Sequence, residues 1–435
     1  MAKRAFLLIA GWLPLALPAL AFAYCVRYTL AWGLNVPCGD EWMWVELHEK
    51  YRAGTLGFSD LFVMNGEHLM FVPMALYVAI GAATDLNFIA QTLLTHVQLL
   101  VSLVPIWLVA SRQFGFKWYR PPWWFVTVPF LLFSLWQRRN LLCSFQPWFV
   151  MPLPFTLLAL YFLDHVTRTD VSARARYAAL GLSLLSGALG SYSHSMGLGV
   201  WPAGAFLLLC LGRRRLGYLA AWLAGAVVVC GVYAYEYRAS TGHAHHVGTV
   251  LPDLFGLFPS LVEFLIRLVG SPIGESEEDQ VICGIVVSLL SAACVYRLWR
   301  EKRLGENAFW LACLVYGWLV GWMIAVGRIH LGTTQSRYVT YFLVIWIALV
   351  CLTTMLLKPE KEQSSPVRRL VQGARGVMLA LSILAFGTAY WSSEERGSGD
   401  MTHLRGHVLE TVKGRTGDSP LAERWRALGV DLPRP

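Results

Sequence analysis

The sequence predicts an all-α, polytopic membrane protein, and three observations lead there. Hydrophobic residues make up 56% of the chain and charged residues only 14%, with a mean hydropathy of +0.51, far from soluble-domain averages. Apolar stretches close to the roughly 20 residues that a helix needs to cross the hydrocarbon recur along the chain. They lack the strict alternation of a transmembrane barrel. Since backbone polar groups in lipid must be satisfied internally, each stretch reads as a helix. The formal charge of +9 reads as membrane orientation, so membrane lipids and not nucleic acid are the expected surroundings.

Lys3 and Arg4 precede an apolar run from Ala5 to Leu30, which places the N-terminus in the cytoplasm. Ala21-Phe22-Ala23 offers a signal-peptide cleavage site as an alternative, but the run is long for such a segment. Either reading puts Asp40 outside, in a first outer loop over residues 31–87. Within that loop residues 68–83 are apolar, yet only Thr84-Asp85-Leu86-Asn87 separates them from the next apolar run. If both crossed, Arg112, Lys117 and Arg120 would lie outside. Residues 68–83 are therefore expected to lie in or dip into the outer interface, with Phe88–Ala110 as the second span.

Further spans are expected at 122–136, 147–163, 177–192, 196–212, 217–235, 281–297, 308–326, 338–357 and 374–391, giving about eleven in all. In this arrangement Lys and Arg dominate the inner segments, while Asp and Glu dominate the outer ones. A second outer loop, 236–280, contains an apolar piece from Leu254 to Val269 that reads as another interfacial helix. Residues 1–391 thus form one transmembrane domain, Lys358–Arg375 a cytoplasmic linker, and 392–435 a small outer tail. Seven of the nine Cys lie mainly in apolar runs and read as small core residues. Cys38 and Cys143 fall in outer loops, which leaves a disulfide open.

Four outer segments hold nearly all the polar residues that helix packing does not require: Asp40-Glu41 with Glu67-His68, Gln137 through Gln146 including Asn140, Ser191 through Ser195 including His194, and Arg328 through Tyr338 including Arg337. Ionisable groups at membrane depth are functional-site hypotheses by default. A carboxylate to take a proton, with Arg and His to hold an anion, is a minimal kit for displacing a phosphate leaving group.

Each has a structural alternative. Asp40-Glu41 also suits a helix cap, and Arg328 and Arg337 suit interface anchors. His194 suits a packing role, and Gln137, Asn140 and Gln146 suit backbone satisfaction at a span end. His243, His245 and His246 lack a neighbouring carboxylate and make a weak metal signal. No Asp-x-Asp cluster occurs in the outer loops, so neither a divalent metal nor any other cofactor is indicated. Trp118, Trp123, Trp124, Trp136 and Trp148 read as an aromatic belt. There is no Walker loop, dinucleotide fingerprint or HExxH.

An aspartate in the first outer loop, a short apolar helix beginning at Glu67-His68, a Gln/Asn-rich turn after the third span and a late GRxxxGxxxSRY segment together resemble the GT-C membrane glycosyltransferases of bacterial envelopes. In that family the Glu-His pair is often followed by a basic residue; here Leu69 follows. The resemblance implies transfer of a sugar, hexosyl or pentosyl, from a polyprenyl-phosphate donor to a glycan, lipid or protein acceptor in the envelope. The site would lie on the periplasmic side of a bacterial inner membrane. It implies Asp40 as general base with Glu41 as runner-up, and Arg328 and Arg337 as phosphate ligands assisted by His68 and Tyr338. Glu67, Gln137, Asn140, Gln146 and His194 are candidates for substrate contact. A single base implies inversion at the anomeric carbon. A flippase or transporter of a lipid-linked saccharide is the alternative, which predicts ionisable residues lining a path through mid-membrane.

Overall fold

The computed structural model describes residues 2–37, 39–168, 170–212, 215–239, 254–332 and 334–357, with scattered positions between 373 and 392. The chain is helical almost throughout, as its composition dictates. The principal helices are α1 (Ala2–Trp32), α2 (Trp42–Arg52), α3 (Phe71–Thr84), α4 (Phe88–Phe114), α5 (Pro152–Val166), α6 (Ala173–Ser191), α7 (Val200–Cys210), α8 (Leu216–Ala239), α9 (Leu254–Gly270), α10 (Glu277–Arg300), α11 (Ala308–Arg328) and α12 (Val339–Leu356). Among the described residues, seven helical stretches are long and apolar enough to cross a membrane: Leu13–Trp32, Phe88–Phe114, Pro147–Val166, Leu216–Ala239, Glu277–Arg300, Gly305–Arg328 and Ser336–Leu356.

α12 is apolar around its whole circumference and buried along nearly its whole length, which makes it the axis of the bundle. α11, α9 and α10 pack on it. α8 and α10 instead leave Val227, Val228, Ile282 and Leu289 exposed, as helices facing lipid do.

The expected segments at 177–192 and 196–212 appear as α6 and as the shorter apolar helical stretch Ser195–Cys210, and 374–391 lies mostly outside the described residues. Residues 122–136 differ from expectation. In place of one spanning helix the chain makes short turns at Trp123–Val126, Thr127–Leu132 and Leu135–Gln137, followed by Arg138–Leu142. Pro121, Pro122 and Pro129 remove backbone donors, and the Ser134 hydroxyl accepts from the Trp136 amide and starts a new turn. Every residue from Trp124 to Gln137 is buried in protein, where irregular backbone is tolerated at membrane depth. Trp124, Trp136 and Trp148 are therefore core residues and not part of a belt, whereas Trp118 and Trp123 remain exposed.

The first outer loop folds as a cap. α3 has 14 residues and spans about 21 Å, too short to cross. Asp85 and Leu86, both with positive φ, reverse the chain, and the Asn87 side chain caps α4 by accepting from the Ala90 amide. His68 does not begin α3. It belongs to a two-residue strand, β2 (His68–Leu69), paired antiparallel with β1 (Met64–Asn65) in the register Asn65↔His68. Gly66, at φ +57°, supplies the left-handed turn position that this tight hairpin needs. The apolar piece of the second outer loop is helical as expected, in α9. His243, His245, His246, Cys38, the linker after 357 and the tail beyond 392 lie outside the described residues.

Candidate active site

The β1–β2 turn presents Glu67 to the C-terminus of α11. There the Glu67 carboxylate forms an ion pair with Arg328, the last residue of that helix. A cation at a helix C-terminus is favoured by the macrodipole, and the guanidinium also donates to its own neighbour, the Gly327 carbonyl, at 2.9 Å. His68 follows directly, buried, with Nε2 at 3.5 Å from both the Glu67 carboxylate and the Arg328 guanidinium. Its Nδ1 lies 2.8 Å from the Ser195 hydroxyl.

The other chain segments converge on that ring. His194 stacks on His68 at 3.8 Å between centroids, and Trp148 meets both imidazoles edge-on at 5.1 and 4.9 Å. Phe149 lies 4.8 Å from His194, and the Arg337 guanidinium sits over the Phe149 ring at 5.1 Å from its centroid. Arg337 also sits over the Tyr338 ring and donates to the Tyr338 hydroxyl at 3.2 Å. Its Nε is buried and lacks a hydrogen-bond partner, and no carboxylate pairs with Arg337 among the described residues. The structure thus brings Glu67, His68, His194, Arg328, Arg337 and Tyr338 together, from four separated parts of the chain.

Electrostatics follow from burial. The His68 imidazole is pulled down to about 3, first by desolvation and then by the charges of Arg328 and Arg337, against the opposing pull of Glu67. His194 is held well below the ordinary histidine value by burial, with His68 and both arginines adding to the effect. Its Nδ1 accepts from the Met196 amide at 3.2 Å, which fixes the neutral tautomer with hydrogen on Nε2. Burial opposes ionisation of Glu67, yet its net shift is downward, through its neighbours His68 and Arg328, the latter also by a hydrogen bond. With His68 neutral, Arg328 is the charge that keeps Glu67 ionised.

These shifts set a sign for pH dependence. Below the unfolded histidine value of 6.5 and down to about 3, the unfolded chain binds protons that the folded site refuses. Stability is fully present above that window and lost as the pH falls through it, and the depressed Glu67 acts in the same direction. The melting temperature in detergent is expected to drop as pH is lowered from 6.5, and His68→Asn should make the curve shallower.

Gln137 and Asn140 lie behind Arg337. Asn140 donates to the Arg337 carbonyl and to the Thr340 hydroxyl, each at 2.8 Å, and Thr340 donates to Gln137 at 2.6 Å. Both are fully buried, so they position the backbone of Arg337. Gln146 is buried at the start of the helix Pro147–Val150 that carries Trp148 and Phe149.

The two early carboxylates part company. Asp40 is exposed in the turn Gly39–Glu41 and makes no hydrogen bond or ion pair with another described residue. Glu41 is buried, and its Oε1 accepts the Phe145 amide at 2.8 Å. Phe145 touches Trp148, which touches His68, so this turn joins the histidine cluster through two aromatic rings. No direct contact links Asp40 to Arg328 or Arg337. Glu41→Gln retains an acceptor and is expected to leave folding and activity near wild type. Glu41→Ala orphans a buried amide and should cost about 1–3 kcal/mol, read from the melting temperature.

A cavity of about 610 Å³ reaches this cluster. One wall is the face of α8 that bears Cys230, Tyr233, Ala234 and Tyr237, and the other is the face of α11 that bears Trp322, Met323, Val326 and Gly327. Glu67 and Ser195 supply polar lining. The Tyr233 hydroxyl donates to the Glu67 carbonyl at 2.5 Å and accepts the Leu69 amide at 3.3 Å, tying the hairpin to α8. Tyr233 and the contact of Trp148 with both imidazoles escaped sequence reasoning, whereas Ser195 fell inside a segment it had marked. Tyr233 is one of three buried residues, with Trp222 and Val229, on a helix that is apolar on every side, which leaves no pattern to find.

Solved structures share this architecture. The archaeal oligosaccharyltransferase AglB from Archaeoglobus fulgidus, in complex with an inhibitory peptide and a dolichol-phosphate, superposes with a TM-score of 0.54 at 13% identity, covering 97% of this chain and 60% of AglB. ArnT from Cupriavidus metallidurans bound to undecaprenyl phosphate superposes with a TM-score of 0.52 at 12% identity, covering 93% of this chain and 81% of ArnT. The chain has the GT-C membrane fold and spans 60% of the length of AglB. No protein-family model matches the sequence, and no curated protein does.

Proposed function

We propose that the protein is an integral-membrane glycosyltransferase that moves a sugar from a polyprenyl-phosphate donor to an acceptor of the cell envelope, on the outer face of a bacterial inner membrane. The observation that carries this reading is the junction of an apolar cavity, walled by two helices apolar enough to span, with a cluster holding Arg328 and Arg337 against a single carboxylate. A prenyl chain suits the first and its phosphate the second. The proteins of similar fold include one solved with dolichol-phosphate and one with undecaprenyl phosphate. An outward-facing site also favours a lipid-borne donor, because nucleotide sugars are cytoplasmic.

In this mechanism Asp40 takes the proton of an acceptor hydroxyl, whose oxygen attacks the anomeric carbon. The bond from that carbon to the phosphate oxygen breaks and its electron pair stays on the phosphate, so a monoanionic diester becomes a more highly charged monoester. Arg337 and Arg328 neutralise that developing charge, and no metal is required for it. The nearby histidines remain neutral and shape a dry pocket where those charges act strongly. Direct displacement with one base inverts the anomeric centre.

The test incubates purified protein with a panel of polyprenyl-phosphate hexoses and pentoses plus envelope acceptors, and follows release of the carrier lipid phosphate. Release coupled to sugar transfer supports the reading. Movement of a lipid-linked saccharide across vesicles without any release would replace it with transport.

A further inference from the structure

The phosphate subsite of the proposed reaction is already occupied by an anion of the protein. We propose that Glu67 is the resident counter-ion of that subsite: it holds Arg328 in the empty site, yields it to the donor phosphate, and reclaims it to expel the carrier phosphate after transfer. This rests on the functional reading above.

Three features of the structure support the role. Among the described residues, Glu67 is the only carboxylate paired with Arg328, and none pairs with Arg337. A bound phosphate diester would therefore compete with Glu67 for one guanidinium while finding the other unclaimed. Second, the Glu67 side chain keeps about a third of its exposure and lines the cavity, so the displaced carboxylate has room to swing. Third, its backbone does not move with it. Tyr233 holds the Glu67 carbonyl and the Leu69 amide with one hydroxyl, fixing the hairpin to the cavity wall and leaving the side chain as the moving part. Arg328 is likewise held by the Gly327 carbonyl, so it stays in place as the anions exchange.

The chemistry gives the exchange a use. Transfer raises the negative charge on the carrier phosphate, so two unopposed guanidiniums would grip the product more tightly than the substrate. A carboxylate that competes for one of them limits that grip and speeds release. If Glu67 only positioned Arg328, removing its charge would weaken phosphate binding. The two roles predict opposite signs.

The experiment titrates wild type, Glu67→Gln and Asp60→Asn in nanodiscs with undecaprenyl phosphate, reading occupancy by native mass spectrometry. Asp60 is the charge-matched control, since it pairs with Lys50 at the surface of the same loop. Glu67→Gln should bind about tenfold tighter, the factor expected when a competitor holds the site roughly nine-tenths of the time. Asp60→Asn should stay within about twofold. With a cognate donor, Glu67→Gln should turn over more slowly in steady state than in a single turnover, because release limits it. Glu67→Asp, one methylene shorter, provides a second variant should Glu67→Gln fail to fold, with tightening between wild type and tenfold. Equal or weaker binding by both Glu67 variants overturns the counter-ion role alone. A folded wild type that fails to bind undecaprenyl phosphate overturns the functional reading itself.

Discussion

Asp40→Asn is expected to lower sugar transfer by about 10²–10⁴-fold, the range associated with loss of a general base, while leaving the melting temperature and donor affinity unchanged. The expectation follows from what Asp40 lacks. Its carboxylate is exposed and makes no hydrogen bond or ion pair with another described residue, so an amide of the same shape disturbs nothing that holds the fold. Glu41, one residue on, is buried with its Oε1 accepting the Phe145 amide, whereas Asp40 is exposed. Direct displacement asks for no contact between Asp40 and the arginines. Acceptor and leaving phosphate occupy opposite faces of the sugar ring, which places base and guanidiniums apart by the width of that ring. The assay compares initial rates of carrier release for wild type, Asp40→Asn and Glu41→Gln. Undiminished release by Asp40→Asn, or equal loss in both variants, would remove Asp40 as the base.

Much of the architecture was legible because membrane burial writes long, composition-based signals. The apolar runs that became α4, α8, α10, α11 and α12 needed only length and hydropathy. The four-residue link Thr84–Asn87 and the positive-inside bias together kept residues 68–83 out of the list of spans, and the helix observed there, α3, is too short to cross. The β1–β2 hairpin was not legible, since two-residue strands are shorter than any alternation can reveal. Nor was the broken path at 122–142. Its turns are held by nearby side chains, Ser134 accepting the Trp136 amide and Gln137 donating to the Leu132 carbonyl, and by distant ones, Cys25 donating to the Phe133 carbonyl and Thr29 to the Leu141 carbonyl, none of which hydropathy reports.

The site shows the same division. Sequence reasoning singled out Glu67, His68, His194, Arg328, Arg337 and Tyr338, which the structure brings together, because ionisable and polar residues stand out against apolar surroundings. It left Gln137 and Asn140 open between substrate contact and backbone satisfaction at a span end, and in the structure Gln137 donates to the Leu132 carbonyl and Asn140 to the Arg337 carbonyl. Position along the chain shows that a polar side chain is unusual. Which way it faces is decided by partners such as Thr340, some 200 residues away in sequence.

Arg337→Ala is expected to reduce kcat/KM for the donor by about 10²–10³-fold, comparable to removing one preorganised donor from a charge-stabilising site. The structure makes Arg337 more exacting than a simple positive charge. Its guanidinium lies over Phe149 and Tyr338, its carbonyl is fixed by Asn140, and its buried Nε has no hydrogen-bond partner among the described residues. A planar fork held between rings offers two donors at a set angle, whereas a lysine offers a point charge on a flexible stem that neither ring orients. Arg337→Lys should therefore lose nearly as much activity as Arg337→Ala, although it conserves charge. At Arg328, where the guanidinium is shared with a carboxylate, the lysine variant should retain more. Steady-state kinetics on Arg337→Ala, Arg337→Lys and Arg328→Lys, with thermal melts to confirm folding, separate these outcomes. Full activity in Arg337→Lys would show that charge alone suffices and that the aromatic cradle has no part in holding the leaving phosphate.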